Sequence, residues 1–217
     1  VSKRPTDKKP VREPIQDRAI RTKENIMEAG KRLFSEKSYH DVMADDIAKE
    51  AGVSVGSFYA YFKDKRHLFI TIIDRYMEEI TSEAREGLKV FTSLEETSLN
   101  DTVRKIVEIM VASHKRSPLF LKESLRMSLY DVKIERIMKD KIDSQVVELI
   151  SDALLSSEVF DSKEKTRTMA HVIYYASEGV IHELVFGSDE IDEGEVIEEL
   201  SRLLTCYISD HLNEVRT

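Results

Sequence analysis
Apolar residues return every three or four positions through most of this chain, and the positions between them are heavily charged. That period predicts amphipathic helices, because a strand would alternate at every second residue. In the first pattern, roughly 16–37, Ile26, Ala29, Leu33 and Phe34 share one face. A shorter one, about 45–51, opens on Asp45-Asp46, acids that suit a helix N-terminus, and closes at Gly52. A very short third segment, about 55–61, follows Ser54 as its cap. A long fourth helix runs from Lys65 to about residue 90, with Leu68, Phe69, Ile72, Ile73, Tyr76, Met77 and Ile80 as its buried stripe.

Five more patterns fall near 99–116, 118–129, 132–155, 163–186 and 194–214. Ser117-Pro118 marks one boundary, since proline fits the first turn of a new helix. Asp131 and the stretches 159–162 and 187–194 mark others. The expectation is an all-α chain of about nine helices, without strands or internal repeats. It divides into a flexible basic arm at 1–14, a three-helix unit at 15–64 and a larger helical unit at 65–217.

Charge sharpens this division. The chain has 217 residues and a net charge of −8. Residues 1–65 hold 14 of the 33 basic and 11 of the 41 acidic residues, a balance of +3, and the remaining 19 and 30 leave −11. An acidic body with a basic end would turn that end toward a polyanion. The arm carries Pro5, Pro10 and Pro14 among Lys3, Arg4, Lys8, Lys9 and Arg12. It reads either as an idle tail or as a contact to phosphates or a minor groove. No stretch has the apolar length of a membrane span, no apolar signal-peptide core follows the basic start, and Cys206 is a lone cysteine. A cytoplasmic location, with no membrane partner, is expected.

Two helices joined at Ala51-Gly52-Val53-Ser54 make a helix-turn-helix, whose second helix can enter a DNA major groove. Val55, Gly56 and Ser57 open that helix, the end that meets base edges. Gly56 permits close backbone approach, and Ser57 offers a hydroxyl. Tyr59 and Tyr61 suit phosphate contacts, while Phe58 and Phe62, four apart, read as core. Lys65 would join a cation to a helix N-terminus, an anion-binding combination. Ser54, Thr22, Ala44 and Asp45 are further candidates, and Asp45 suits a cytosine amino group better than a phosphate.

Over residues 22–69 the chain resembles the DNA-binding domain of the tetracycline-repressor (TetR) family. The resemblance rests on Ile26, Ala29, Leu33-Phe34, Tyr39, Ile47-Ala48, Ala51-Gly52-Val53-Ser54, Gly56-Ser57, Tyr59, Tyr61-Phe62, Lys65 and Leu68. Ser38 stands where the family has a glycine, and Val42-Met43-Ala44 replaces a threonine-rich stretch. The resemblance implies a DNA-binding regulator that dimerises through its last two helices and holds a small-molecule effector in its C-terminal domain. Carried onto this chain, the expected interface comprises Ile173, Ala176, Ser177, Val180, Leu184, Leu200, Leu203, Leu204, Tyr207 and Ile208. The expected pocket is Met110, His114, Phe120, Met127, Tyr130, Met138, Met169, Tyr174 and Glu178, whose methionines and aromatics suit an irregular apolar cavity. For any one of these residues, plain packing is the simpler reading.

An enzyme is not expected. No G-x-S-x-G, phosphate-binding loop or H-E-x-x-H occurs, and His182-Glu183 lacks a second histidine at the required spacing. His171 and His182 are eleven residues apart, about 16 Å along a helix, too far for one metal. No metal or cofactor is therefore expected. The leading expectation is a repressor that binds a pseudo-palindromic operator as a homodimer and is released by an effector. The alternative is an architectural or division-associated DNA binder on the same fold, without an effector.

Overall fold
The computed structural model describes residues 17–89, 99–141, 145–156, 160, 162–187 and 191–215, with side chains described as far as His211. The basic arm lies outside the described residues. Ten α-helices and one 3-10 turn appear among those described, with no strand. They are α1 (Asp17–Glu36), the turn Tyr39–Asp41, α2 (Ala44–Glu50), α3 (Val55–Tyr61), α4 (Lys65–Lys89), α5 (Leu99–Lys115), α6 (Pro118–Ser128), α7 (Val132–Lys141), α8 (Val147–Ser156), α9 (Lys163–Phe186) and α10 (Glu193–Val215).

The expected helix 132–155 is described as α7 and α8, with residues 142–144 between them outside the described residues. The burial pattern changes phase from one to the other. Ile134 and Met138 set the apolar phase of α7, and Val147, Ser151 and Leu154 set that of α8. Continued at 3.6 residues per turn, the first phase arrives about half a turn away from the second. An uninterrupted helix could not bury both sets. Gln145 and Val146 form a π-turn just before α8, a wider winding that shifts helical phase.

The helices group into two compact units, Val1–Ile73 and Asp74–Thr217, so the division falls inside α4 rather than at its start. The reason is packing. Leu68, Phe69, Ile72 and Ile73 are all buried, and Phe69 stacks edge-on against Phe34 at 4.9 Å. A Cβ on Gly30 would lie 2.7 Å from Leu68 Cδ2, so this glycine sets how closely α1 approaches α4. Ile26, Ile47, Ala48, Phe58 and Phe62 fill the remainder of this small core.

In the second unit, α8 packs along α9, and α10 packs along both α5 and α9. Val107, Val111, Met169, Ile181, Leu200 and Ile208 lie at its centre. A buried hydrogen bond between Ser151 Oγ and Thr166 Oγ1, 2.9 Å, ties α8 to α9.

Candidate nucleic-acid interface and ligand cavity
The α2–α3 turn is built from its own backbone. Gly52 takes φ +67°, Val53 N–H donates to Ala48 O at 2.9 Å and Gly52 N–H to Lys49 O at 3.1 Å. These two bonds form a Schellman cap, and the left-handed residue at its centre favours glycine. At the start of α2, the Asp46 carboxylate accepts the Met43 N–H at 3.1 Å, leaving Asp45 exposed. Ser54 caps α3 by accepting the Ser57 N–H at 3.1 Å, and its hydroxyl also bonds that of Ser57 at 2.8 Å. The Ser57 hydroxyl, expected to face a partner, is thus half committed to the cap.

Beyond this cap the outer face of α3 is open. Val55 is 38% exposed, Tyr59 52%, and Gly56 is also exposed. A Cβ on Gly56 would meet only Ser54 Oγ, at an ordinary 3.8 Å. The fold itself does not require glycine there. Tyr61 and Ala44 are half-buried, and Thr22 donates its hydroxyl to Arg18 O at 2.9 Å. Met43 was missed by sequence reasoning: it is exposed at the N-cap of α2, where a short polar side chain is usual.

Lys65 requires a correction. Its ammonium does not stand ready beside the helix N-terminus. It donates to the carbonyls of Tyr39 at 2.9 Å, His40 at 3.2 Å and Val42 at 2.7 Å, and lies 4.6 Å from the Tyr39 ring centre. An ammonium has three N–H donors, and all three are used. Desolvation lowers its pKa, partly opposed by Asp41. Lys65 pins the turn after α1.

The second unit contains an apolar cavity with an empty volume of about 850 Å³, counting its mouth. Met110, His114, Met138, Tyr174 and Glu178, all expected there, line it. Four expected residues do not. Phe120, Met127 and Met169 are buried in packing, Phe120 edge-on to Tyr76, and Tyr130 is 82% exposed beyond the end of α6. Their helical spacing could not distinguish a cavity wall from a filled core. A second apolar cavity of about 520 Å³ adjoins the first, with Leu88, Ile106, Met110, Ile150 and Tyr174 lining both.

A polar cluster stands in its wall. His114 Nε2 is 3.2 Å from Glu178 Oε1, and His182 Nε2 is 3.3 Å from Glu178 Oε2. His114 Nδ1 lies 2.7 Å from Met110 O. Burial opposes charge on His114, yet the Glu178 carboxylate and the Met110 carbonyl outweigh it and raise its pKa. On His182 burial prevails, and its pKa is lowered. Sequence reasoning had His182 only as half of a broken motif, because its partner His114 comes from another helix.

The expected interface residues divide between the two faces of α9 and α10. Ile173, Ser177, Leu200, Leu204 and Ile208 point into the core, which corrects their assignment to an outer surface. Val180 and Leu203 are exposed, and Ala176, Leu184 and Tyr207 are half-buried. Val172 and Tyr175, not expected there, join Val180 among the exposed apolar residues of α9.

Residues 26–72 match the family model of the bacterial regulatory proteins of the tetR family. The chain is 28% identical over 116 residues to the fatty acid metabolism regulator protein of Bacillus subtilis, a match covering 52% of this chain and 59% of that one. It is 43% identical over 67 residues to the regulator HbdR of an Aromatoleum strain, covering 29% of each. The matches therefore span less than two thirds of these curated relatives. Among solved structures, Salmonella enterica GusR superposes with a TM-score of 0.69 at 16% identity, over 90% of this chain and 98% of that one. Bacillus subtilis FadR in complex with stearoyl-CoA does so with a TM-score of 0.63 at 16% identity, over 85% and 96%. At such identities the superpositions establish the fold alone, and the family model places residues 26–72 in the tetR family of bacterial regulatory proteins.

Proposed function
We propose that the chain is a transcriptional repressor that binds operator DNA as a homodimer and is released by an elongated, amphipathic small molecule. The observation that carries this reading is the pair of adjoining apolar cavities, the first with an ionisable cluster in its wall, in a chain whose other unit has an open α3 face. If a ligand joins the two, they suit a long hydrocarbon chain with a polar end. The relative named for fatty acid metabolism, and the stearoyl-CoA complex of FadR, make long-chain acyl compounds the first class to test.

On DNA, Val55 and Gly56 read base edges and Tyr59 and Tyr61 hold phosphates. Met43 and Val55 suit thymine methyl groups. Ser54, Ser57, Thr22, Ala44 and Asp45 flank that contact. Val172, Tyr175, Ala176, Gly179, Val180 and Leu203 give α9 and α10 an outward surface whose small members allow close helix approach. A two-fold dimer through it would present two α3 helices to a pseudo-palindromic site.

The test selects binding sites from random duplexes, then measures affinity with and without a long-chain acyl-CoA or free fatty acid. A palindromic selected site, and affinity lowered tenfold or more by one of these ligands, are expected. A selected site whose binding no ligand weakens would remove the effector from the reading. Failure to select any site would overturn the repressor itself.

A further inference from the structure
We propose that His114, Glu178 and His182 form a binding site for a zinc-class divalent cation in the wall of the cavity. Their ligating atoms all lie within 4.8 Å of one another. Glu178 and His182 are four apart on α9 and share its face, and His114 comes from the last turn of α5.

Proton bookkeeping shows why a cation fits. The Met110 carbonyl can only accept, so His114 Nδ1 carries its proton and donates across 2.7 Å. In the neutral ring, Nε2 then aims a lone pair at a carboxylate 3.2 Å away. His182 Nε2 is buried and makes no hydrogen bond, although Glu178 Oε2 is 3.3 Å distant. A proton on His114 would satisfy one edge of this triangle and leave His182 as it is. One metal ion at the centre satisfies all three donors.

The spacing agrees. Metal–ligand bonds of about 2.0–2.1 Å at tetrahedral angles separate neighbouring ligand atoms by roughly 3.3–3.4 Å. Both histidine–glutamate edges to the one oxygen Glu178 Oε2 match, 3.4 Å from His114 Nε2 and 3.3 Å from His182 Nε2. Two imidazoles and one carboxylate suit Zn²⁺, Co²⁺ or Ni²⁺ over Mg²⁺ or Ca²⁺, which favour oxygen cages. The Met110 carbonyl on His114 Nδ1 is the second-layer bond that such ligands ordinarily carry.

Three protein ligands leave a fourth position, and all three residues line the cavity. A dication with one carboxylate keeps a single positive charge, which draws an anionic donor such as a carboxylate to that position. This last step rests on the reading of the cavity as a ligand site; the metal site does not.

The test titrates the untagged, metal-stripped chain with Co²⁺ and follows visible d–d absorption. One Co²⁺ per chain is expected, with the intense bands of a four-coordinate ion, bleached when Zn²⁺ displaces it. Glu178→Gln and His182→Ala should each weaken binding tenfold or more, while His171→Ala, on the same helix but outside the cluster, should not. Circular dichroism checks folding, and Glu178→Gln carries the test where His182→Ala unfolds. Absence of a visible band, or a band unchanged in both cluster variants, would overturn the site. No DNA is involved, so failure here leaves the repressor reading standing, and a non-binding operator leaves the metal site standing.

Discussion

At the scale of single residues, the α2–α3 turn was legible because its chemistry is local. Gly52 stands at a left-handed cap and Ser54 at an N-cap, and sequence spacing alone specifies both. Lys65 was not legible, because its partners lie 23 to 26 residues earlier in the chain. The internal role has its own signature. Lys65→Ala should lower the stability of the first unit by about 1–2 kcal/mol, since hydrogen bonds from a charged donor are worth roughly 1.5–3 kcal/mol and these are partly solvated. It should leave the salt dependence of DNA binding unchanged, whereas loss of a direct phosphate contact would reduce that slope by about one ion. Denaturant melts and a salt titration of affinity separate the two. Gly56→Ala makes the opposite trade. With space for a Cβ and a helix-favouring residue in place of glycine, the variant should gain up to about 0.5–1 kcal/mol of stability. If close backbone approach to DNA is the reason for this glycine, the same variant should bind its operator more weakly. Equal or tighter operator binding would mean that Gly56 is not at the contact.

At the scale of helices, periodicity located nearly every element but could not say which side of a helix faces what. The segment 163–186 was expected whole and is whole, because one apolar phase runs through it. In the segment 132–155 the buried phase slips by half a turn between α7 and α8, a signal present in the sequence but hidden by unbroken helix-forming composition. In α10, Leu203 and Leu204 look equivalent as letters, yet Leu203 is 58% exposed and Leu204 is buried in the core. This adjacent pair gives an internally controlled test of the proposed dimer. Leu203→Glu should keep full helical content and stability as a monomer, and should shift the chain to monomer in sedimentation equilibrium at micromolar concentration. Leu204→Glu places an unpaired charge in the core and should unfold the second unit outright. A Leu203→Glu chain that sediments as a dimer would move the interface away from this face.

At the scale of the whole molecule, the proposed function has charge and cavity act on the same equilibrium. The basic balance of residues 1–65 favours a polyanion, and the −11 of the remaining chain opposes it, so DNA binding should weaken steeply with added salt. The all-α class was readable from periodicity. The cavity was readable only in part, since five of nine expected residues line it. Whether a side chain fills space or borders it depends on neighbours from distant helices. If an acyl ligand in this cavity lowers operator affinity, thermodynamic linkage imposes a reciprocal effect. A ligand that weakens DNA binding by a given factor must itself be bound more weakly, by the same factor, when operator is present. A tenfold loss of DNA affinity corresponds to a coupling free energy of about 1.4 kcal/mol. Ligand titrations by calorimetry, with the chain free and then saturated with a selected duplex, should return that same tenfold ratio. Ligand affinity that is indifferent to DNA, beside DNA affinity that responds to ligand, would break the cycle. The apparent release would then come from the acyl compound acting on DNA or as a detergent, not from occupancy of the cavity.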